Sequence, residues 1–409
     1  MKKKLTVLAL AFAMVLTMSA SVFATGANAG NTGATDKDYN SSEAKLVKYL
    51  QVAEGITLPT ETFTFTFTPA ASKTSDYAVP AGDFTETSAE IAVSDMSKAT
   101  GSGDADTNNQ IGSKTIAEIF DGYSFPRAGE YTFDVAETVP ASAENNVVTT
   151  TDTAAGKTTK MTYSSDTYQL HLIVDKDGNI DDVTVQDEGG TKVDATDVDP
   201  SNNTGGATTT SSNGGFTFTN KYTKSITKHD EPKNPNPDPV PDDDTNPGDT
   251  PKDIDKTDKL SDQGAFELDK YVLGQYGDHT QDFTFTVTVD LPASDKDFTL
   301  PDGWVDGTAK DVNLQHEGNF KFAELPMGTK VTVEEADVSG YTKSFTTSQS
   351  DNGLIILVGE NGGYAICRND FDDTSITPTG IIINNLPYVL LIGLALGGIV
   401  LFSRKRRYE

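Results

Sequence analysis

Three residue types that can react with one another, a lysine, a glutamate and an asparagine, recur in the same kinds of segment at two places in the chain. The first set is Lys48, Glu137 and Asn220, and the second set is Lys270, Glu335 and Asn369. Each residue has apolar neighbours two positions away, which predicts that its side chain faces the interior of a β-sheet. Only Glu335, and not the adjacent Glu334, has this parity in its segment.

The chemistry of such a trio is coherent if its surroundings are dry. A buried lysine tends to lose its proton, and a neutral amine is a nucleophile. An apolar pocket also favours the protonated form of a carboxyl group, which can then donate a hydrogen bond to the asparagine side-chain carbonyl. Attack of the amine, with loss of ammonia, would join the two side chains through an isopeptide bond. Because the fold would hold the amine close to the amide, no external enzyme would be needed. We therefore predict one bond in each set, with the glutamate as the catalytic group.

Each of these residues, taken alone, has a plainer explanation. A lysine on an apolar face can extend its amine to solvent. An asparagine at the end of a strand can cap a turn, and the glutamate can be solvated. The same ordered trio in two places favours the cross-link over these alternatives.

The segments that carry the trios have the pattern of β-strands. Aromatic and β-branched residues alternate with others in the runs 63–67, 168–172, 216–218 and 283–289. Short strands between turns, with almost no helix, predict an all-β fold of two β-sandwich domains, residues 43–224 and 262–372. The stretch Asp175–Asn179 predicts a hairpin turn, and Lys114–Phe120 is either a short helix or a crossing loop.

A segment rich in proline and aspartate, residues 225–261, separates the two domains. Alternate prolines are incompatible with a sheet ladder and favour an extended chain, so we interpret this segment as a linker. Residues 25–42 and 196–214 are rich in small and polar residues, which predicts a loose N-terminus and a long surface loop.

Both ends of the chain have the pattern of export and anchoring segments. Residues 1–24 combine lysines, an apolar stretch and small residues, which predicts a secretory signal peptide with cleavage as late as residue 29. Near the other end, the apolar run Leu386–Phe402 precedes the basic run Arg404–Arg407, as in a transmembrane helix with a cytoplasmic end. The sequence thus predicts a secreted protein that is held at its C-terminus.

Composition excludes several kinds of function. The formal net charge of -29 makes nucleic acid an unfavourable partner. With Cys367 as the single cysteine, no intramolecular disulfide is available. The four histidines have neither metal-ligand spacing nor a paired nucleophile, so we expect no metal, no cofactor and no enzymatic activity other than self-catalysed bond formation.

The segments around both trios resemble the isopeptide-forming domains of streptococcal-type backbone pilins. The resemblance rests on Lys48-Tyr49-Leu50, on the strands Tyr131–Glu137 and Val331–Glu335, and on Phe216–Lys221. It implies tandem immunoglobulin-like sandwiches with one internal isopeptide bond each, and assembly into a pilus or display on the cell wall. The second domain departs from the family pattern at Cys367, where a large apolar residue is usual.

The C-terminal region, residues 376–409, resembles the sorting signal of Gram-positive surface proteins. In that family a sortase cleaves between threonine and glycine. This implies cleavage here between Thr379 and Gly380, with Pro378 just before the threonine. Ile376-Thr377 replaces the usual Leu-Pro. The resemblance implies a sortase, and peptidoglycan or neighbouring pilin subunits, as partners, with a host ligand as a further candidate. Lys233 is the candidate acceptor between subunits, although its segment lacks the family's tyrosine.

These observations together predict a structural protein on the cell surface of a Gram-positive bacterium, tethered to the membrane before it is sorted to the wall. The first interpretation is a pilin subunit that a sortase polymerises or anchors. The alternative is a wall-anchored adhesin or stalk that does not polymerise, which would share every feature except the acceptor lysine.

Overall fold

The computed structural model describes residues 38–72, 77–101, 103–196, 215–230, 264–274, 276–349, 354–371 and 391. The predicted signal peptide, most of the predicted linker with Lys233, and the predicted sorting signal apart from Leu391 lie outside the described residues. In the described ranges, no helix is both long enough and apolar enough to cross a membrane. The chain divides into two compact units.

The first unit is built almost entirely of strands. They are β1 (Lys45–Val52), β2 (Thr62–Ala70), β3 (Thr87–Ala92), β4 (Ser97–Lys98), β5 (Gln110–Thr115), β6 (Gly129–Glu137), β7 (Val147–Asp152), β8 (Lys157–Thr162), β9 (Thr167–Val174), β10 (Ile180–Asp187) and β11 (Thr217–Ile226), with a single-turn helix α1 (Ile116–Ile119) and 3-10 turns at Ala81–Asp83 and Val93–Asp95.

Two sheets of the first unit enclose its core. One sheet has the strand order β4-β5-β1-β11-β8-β7, and the other has the order β10-β9-β6-β2-β3. Period-two alternation points Phe63, Phe65 and Phe67 of β2 inward, and all three are fully buried. Phe65 meets Phe218 of the opposite sheet with 5.0 Å between ring centroids. The first unit is therefore a β-sandwich, as the alternation predicts.

Local side-chain contacts explain two connections of the first unit, the stretch after Lys114 and the turn at Asp175–Asn179. Thr115 and Glu118 form a capping box, in which the Thr115 side chain accepts from the Glu118 N–H and the glutamate side chain accepts from the Thr115 N–H. The stretch after Lys114 is thus a short helix. The predicted hairpin joins β9 to β10, where Asp175 Oδ1 accepts from the N–H groups of Asp177 and Asn179. Gly178 adopts a φ of 85°, which favours glycine.

The second unit repeats the two-sheet plan with fewer strands. They are β12 (Phe266–Leu273), β13 (Phe283–Asp290), β14 (Lys310–Leu314), β15 (Asn319–Phe322), β16 (Leu325–Pro326), β17 (Lys330–Glu335), β18 (Tyr341–Thr347), β19 (Ile355–Leu357) and β20 (Gly363–Phe371). One sheet has the order β15-β12-β20-β18, and the other has the order β14-β13-β17-β19. The prediction of an all-β fold with tandem β-sandwiches is confirmed.

In both units the opening strand lies beside the closing strand. β1 pairs in parallel with β11, and β12 pairs in parallel with β20. For two parallel neighbours, the chain must return to the same end of the sheet before the second strand begins. The first and last strands of each sandwich are therefore direct neighbours, although most of the unit separates them in sequence.

The start of the predicted linker packs on the second unit. His229 is buried, and its Nε2 lies 2.9 Å from Glu267 Oε2 of β12. The Asp230 N–H donates to the Asn361 carbonyl at 2.8 Å. At Gly362 a Cβ atom would lie 2.6 Å from His229 Cα, so glycine permits this close approach. His229 and Asp230 thus pack against residues of the second unit, a contact that the composition of the segment does not predict.

Candidate cross-linking sites

The first site lies between the two sheets of the first unit. β1 and β6 point Lys48 and Glu137 at each other, and both side chains are completely inaccessible to solvent. Lys48 Nζ lies 2.9 Å from Glu137 Oε1 and 2.8 Å from Oε2. The same nitrogen lies over the Phe63 ring, 4.5 Å from its centroid. The amine is therefore held in an apolar cage with one carboxyl group as its partner.

Asn220 of β11 completes the first site. Its Nδ2 donates to Glu137 Oε1 at 2.8 Å, and its Oδ1 accepts from the Ser164 backbone N–H at 2.8 Å. A backbone N–H can only donate, so it identifies the amide oxygen and fixes the orientation of the side chain. The glutamate thus contacts the amide nitrogen and not the carbonyl oxygen, the contact that the sequence led us to expect.

The lowered pKa of the Lys48 amine makes it a better nucleophile than an exposed lysine. Burial lowers the pKa of Lys48 to about 8, against the opposing effect of Glu137. The neutral amine is thus a much larger fraction near neutral pH than it is for an exposed lysine. Because one oxygen, Oε1, lies within hydrogen-bonding distance of both Nζ and Asn220 Nδ2, a proton that leaves the amine has a short path to the amide nitrogen.

The second site brings together Lys270, Glu335 and Asn369. Lys270 Nζ lies 2.9 Å from Glu335 Oε1, which also accepts from Asn369 Nδ2 at 2.9 Å. All three residues are buried. Burial lowers the pKa of Lys270, as it does for Lys48. Glu334 is exposed, so the choice of Glu335 from strand parity agrees with its placement.

The two sites share one strand register. Lys48 pairs with Phe218 and Lys270 pairs with Cys367, in each case two residues before the asparagine on the parallel strand. Glu137 pairs across antiparallel strands with Phe65, and Glu335 pairs in the same way with Phe285. Different chain spacings therefore produce one arrangement of amine, carboxyl and amide.

Cys367 is the main difference between the sites. Its Sγ lies 3.7 Å from Lys270 Nζ, 3.4 Å from Glu335 Oε2 and 3.6 Å from Asn369 Oδ1. Burial raises the pKa of the Cys367 thiol, which therefore keeps its proton and can act as a weak donor. The sequence identified Cys367 only as a departure from the family pattern, and its contact with all three reacting groups was missed.

Sequence reasoning also missed Ser164, because its contribution comes from the backbone. A serine two residues before an aspartate is typical of a local turn, but such a pattern does not reveal where the N–H points. Among the described residues, no group of three or more histidine, cysteine, aspartate or glutamate side chains could hold a metal ion. Lys233, Pro378, Thr379 and Gly380 lie outside the described residues.

The comparisons with known proteins cover the chain unevenly. A family model described as a domain of unknown function (DUF7601) matches residues 264–361, which is less than half of the chain. No curated protein matches the chain. The similar solved structures include a major pilin protein (T-13) from Streptococcus pyogenes, at 15% identity and a TM-score of 0.29, covering 83% of this chain and 100% of the pilin.

Two further solved structures are similar to the chain. Another major pilin of Streptococcus pyogenes has 16% identity and a TM-score of 0.23, covering 80% of this chain and 98% of that one. An adhesin from Mobiluncus mulieris, described as containing disulfide, isopeptide and ester cross-links, has 10% identity and a TM-score of 0.21, covering 80% and 99%. The resemblance to streptococcal pilins is thus met again among solved structures.

Proposed function

We propose that this chain is a structural surface protein of a Gram-positive bacterium, a pilin-like subunit whose two sandwiches are each locked by a Lys–Asn isopeptide bond. A sortase cleaves it between Thr379 and Gly380 and joins Thr379 to peptidoglycan or to a neighbouring subunit. The anchoring part of the proposal rests on the sequence of residues 376–409, and the cross-linking part rests on the two buried sites.

One observation supports the cross-links above all others. In each unit a single glutamate oxygen is the hydrogen-bond acceptor for both the lysine amine and the asparagine amide. A buried lysine and a buried glutamate carry a large desolvation cost, which a stable sandwich avoids unless the pair has a use. That two units keep the same buried trio in the same register favours a reaction over a coincidence of packing.

The reaction balances without any further reactant. The lysine Nζ forms a bond to the asparagine Cγ, and the bond from Cγ to Nδ2 breaks. The glutamate takes a proton from Nζ and delivers a proton to Nδ2, which leaves as ammonia. An amine and a primary amide thus become one secondary amide and one ammonia, and the glutamate is regenerated.

Intact mass spectrometry of the purified protein tests the cross-links. We expect the mass to fall short of the sequence mass by two molecules of ammonia. Lys48→Ala and Glu335→Gln should each restore one of them. The matched controls Lys45→Ala, on the same strand as Lys48, and Glu334→Gln, next to Glu335, should leave both losses in place. A mass equal to the unmodified sequence would overturn the proposal.

Assembly is tested separately on cell-wall extracts of the native bacterium. A ladder of high-molecular-weight species that survives boiling in detergent is expected for a polymerised pilin, and Thr379→Ala should abolish it. One discrete anchored band would instead indicate an adhesin or stalk that does not polymerise. Neither result depends on the internal bonds, so the two parts of the proposal can fail independently.

A further inference from the structure

We propose that the backbone N–H of Ser164 is the group that stabilises the negative charge developing on Asn220 Oδ1 while the first isopeptide bond forms. This inference rests on the proposed cross-linking function and assigns a role that no side chain of the trio can fill. It makes Ser164 a fourth member of the first site.

The orientation of Asn220 leads to this assignment. Its Nδ2 donates to Glu137 Oε1, so the carboxyl group contacts the leaving nitrogen and is an acceptor there, not a donor to the carbonyl oxygen. The Ser164 N–H donates to Oδ1 at 2.8 Å, a distance typical of a good donor for an oxyanion, and has a longer contact of 3.3 Å with Glu137 Oε2. In the part of the chain that the structure describes, no other group donates a hydrogen bond to this oxygen.

The segment around Ser164 holds its N–H in place. The Ser164 hydroxyl donates to Asp166 Oδ2 at 2.9 Å and accepts from the Asp166 N–H at 3.2 Å. The preceding Tyr163 is buried and donates its hydroxyl to Glu61 Oε1 at 2.9 Å. A donor that its neighbours already orient needs no reorganisation when charge develops, which is the condition for effective electrostatic stabilisation.

The N–H acts at one defined step. When Lys48 Nζ bonds to Asn220 Cγ, the electron pair of the carbonyl π bond moves to Oδ1, where the Ser164 N–H donates to it. The pair then returns to re-form the carbonyl, and the bond from Cγ to Nδ2 breaks. Glu137 carries the proton from Nζ to Nδ2, which then leaves as ammonia. The Ser164 N–H keeps its own proton throughout, so the overall balance is unchanged.

The second site lacks this donor. In the described residues of the second unit, no backbone N–H donates to Asn369 Oδ1, and the contact at that oxygen is the Cys367 thiol at 3.6 Å. A thiol is a weak donor. The two sites thus share the amine, the carboxyl group and the amide but differ at the oxygen that must accept charge.

A pair of substitutions separates the backbone donor from the side chain. Ser164→Pro removes the N–H, whereas Ser164→Ala keeps it and removes only the hydroxyl. The full-length chain is recovered unfolded from inclusion bodies and refolded by dilution, and samples are quenched over time for intact mass and peptide mapping. We expect Ser164→Pro to slow the first bond about 100-fold, as for loss of one oxyanion donor. Ser164→Ala should slow it far less, about fivefold, because it loses the hydroxyl contacts with Asp166 but keeps the N–H.

A second variant covers the case in which proline prevents folding. Cell-free incorporation of the α-hydroxy analogue of serine at position 164 replaces the N–H by an ester oxygen and preserves the side chain. The second bond, in the same molecule, is the internal control for folding and for quenching. Equal rates for the parent, the ester and the alanine variant would overturn the role of Ser164. If the parent itself loses no ammonia, it is the proposed cross-linking that fails.

Discussion

Under the proposed function, the Lys48–Glu137 pair is a pair of reacting groups and not a stabilising ion pair. Two buried charges lose their hydration, and the attraction between them rarely offsets that loss by a wide margin. The proposed bond would remove the buried cation, since the lysine amine would become a neutral amide nitrogen. The orientation of Asn220 Nδ2 toward Glu137 fits this view, because the proton taken from the amine is needed at the nitrogen that leaves.

At the residue scale, Cys367 should affect how fast the second bond forms. Its thiol lies near Glu335 Oε2 and Asn369 Oδ1, so Cys367→Ala removes a donor beside both the proton carrier and the carbonyl oxygen. We expect this variant to slow the second isopeptide bond about fivefold, equivalent to ~1 kcal/mol for one hydrogen bond. Refolding kinetics followed by peptide mapping measure the rate, and the first bond of the same chain is the reference.

The conservative variant distinguishes donation from packing. Cys367→Ser keeps a hydroxyl at the same place, so it should form the second bond at least as fast as the alanine variant, and faster if donation matters. Equal rates for the parent, alanine and serine variants would mean that Cys367 only fills space beside Lys270.

At the scale of strands, simple alternation predicted a large part of the site. Lys48, Glu137 and Asn220 are inward-facing in the structure, as their apolar neighbours indicate, and the same parity selected Glu335 over the exposed Glu334. Period two is a local property of each strand, so a sequence carries it directly. The existence of two sandwiches follows from the same signal.

What alternation cannot supply is the pairing of distant strands. The parallel register that puts Asn220 opposite Leu50, and the turn that aims the Ser164 N–H at its oxygen, depend on packing between segments far apart in the chain. Composition also assigned His229 to an extended linker, because proline and aspartate dominate the residues that follow. Its burial against Glu267 results from tertiary contacts that outweigh this local tendency.

The contact between His229 and β12 predicts a pH-dependent stability. Burial alone would lower the pKa of His229, but hydrogen bonds to Glu267 and to the Asp230 carbonyl, with the charge of Asp269, raise it above its ordinary value. The folded state therefore binds the proton more tightly than the unfolded state. This stabilisation is fully present below a pH of about 6.5 and is lost as the pH rises through the raised pKa.

Urea unfolding of the second unit tests this linkage. His229→Gln should lower the free energy of unfolding by about 3 kcal/mol at pH 5.5, since it leaves Glu267 buried without its charged partner. At pH 9 the difference from the parent should be clearly smaller. Lys228→Gln, next in the chain, serves as the control. A difference that is the same at both pH values would contradict a role for the protonated imidazole.

At the scale of the whole molecule, the pairing of first and last strands decides how force passes through each unit. The chain enters the first unit through β1 and leaves it through β11, and these strands are parallel neighbours. A pull on the two ends loads both strands in opposite directions. A covalent bond between Lys48 and Asn220 would carry this load, so residues 49–219 would be shielded from it. The bond between Lys270 and Asn369 would do the same for the second unit.

Single-molecule pulling measures whether the two bonds carry the load. The parent chain should show no unfolding step from either unit below the force that breaks covalent bonds. Lys48→Ala should release residues 49–219, a contour gain of roughly 600 Å at about 3.5 Å per residue, whereas Lys270→Ala should release roughly 340 Å from residues 271–368. Lys45→Ala should behave as the parent. Steps of these lengths in the parent chain would mean that the first and last strands are not covalently joined. Absence of the longer step from the Lys48→Ala variant would mean that the bond is not what resists the force in the first unit.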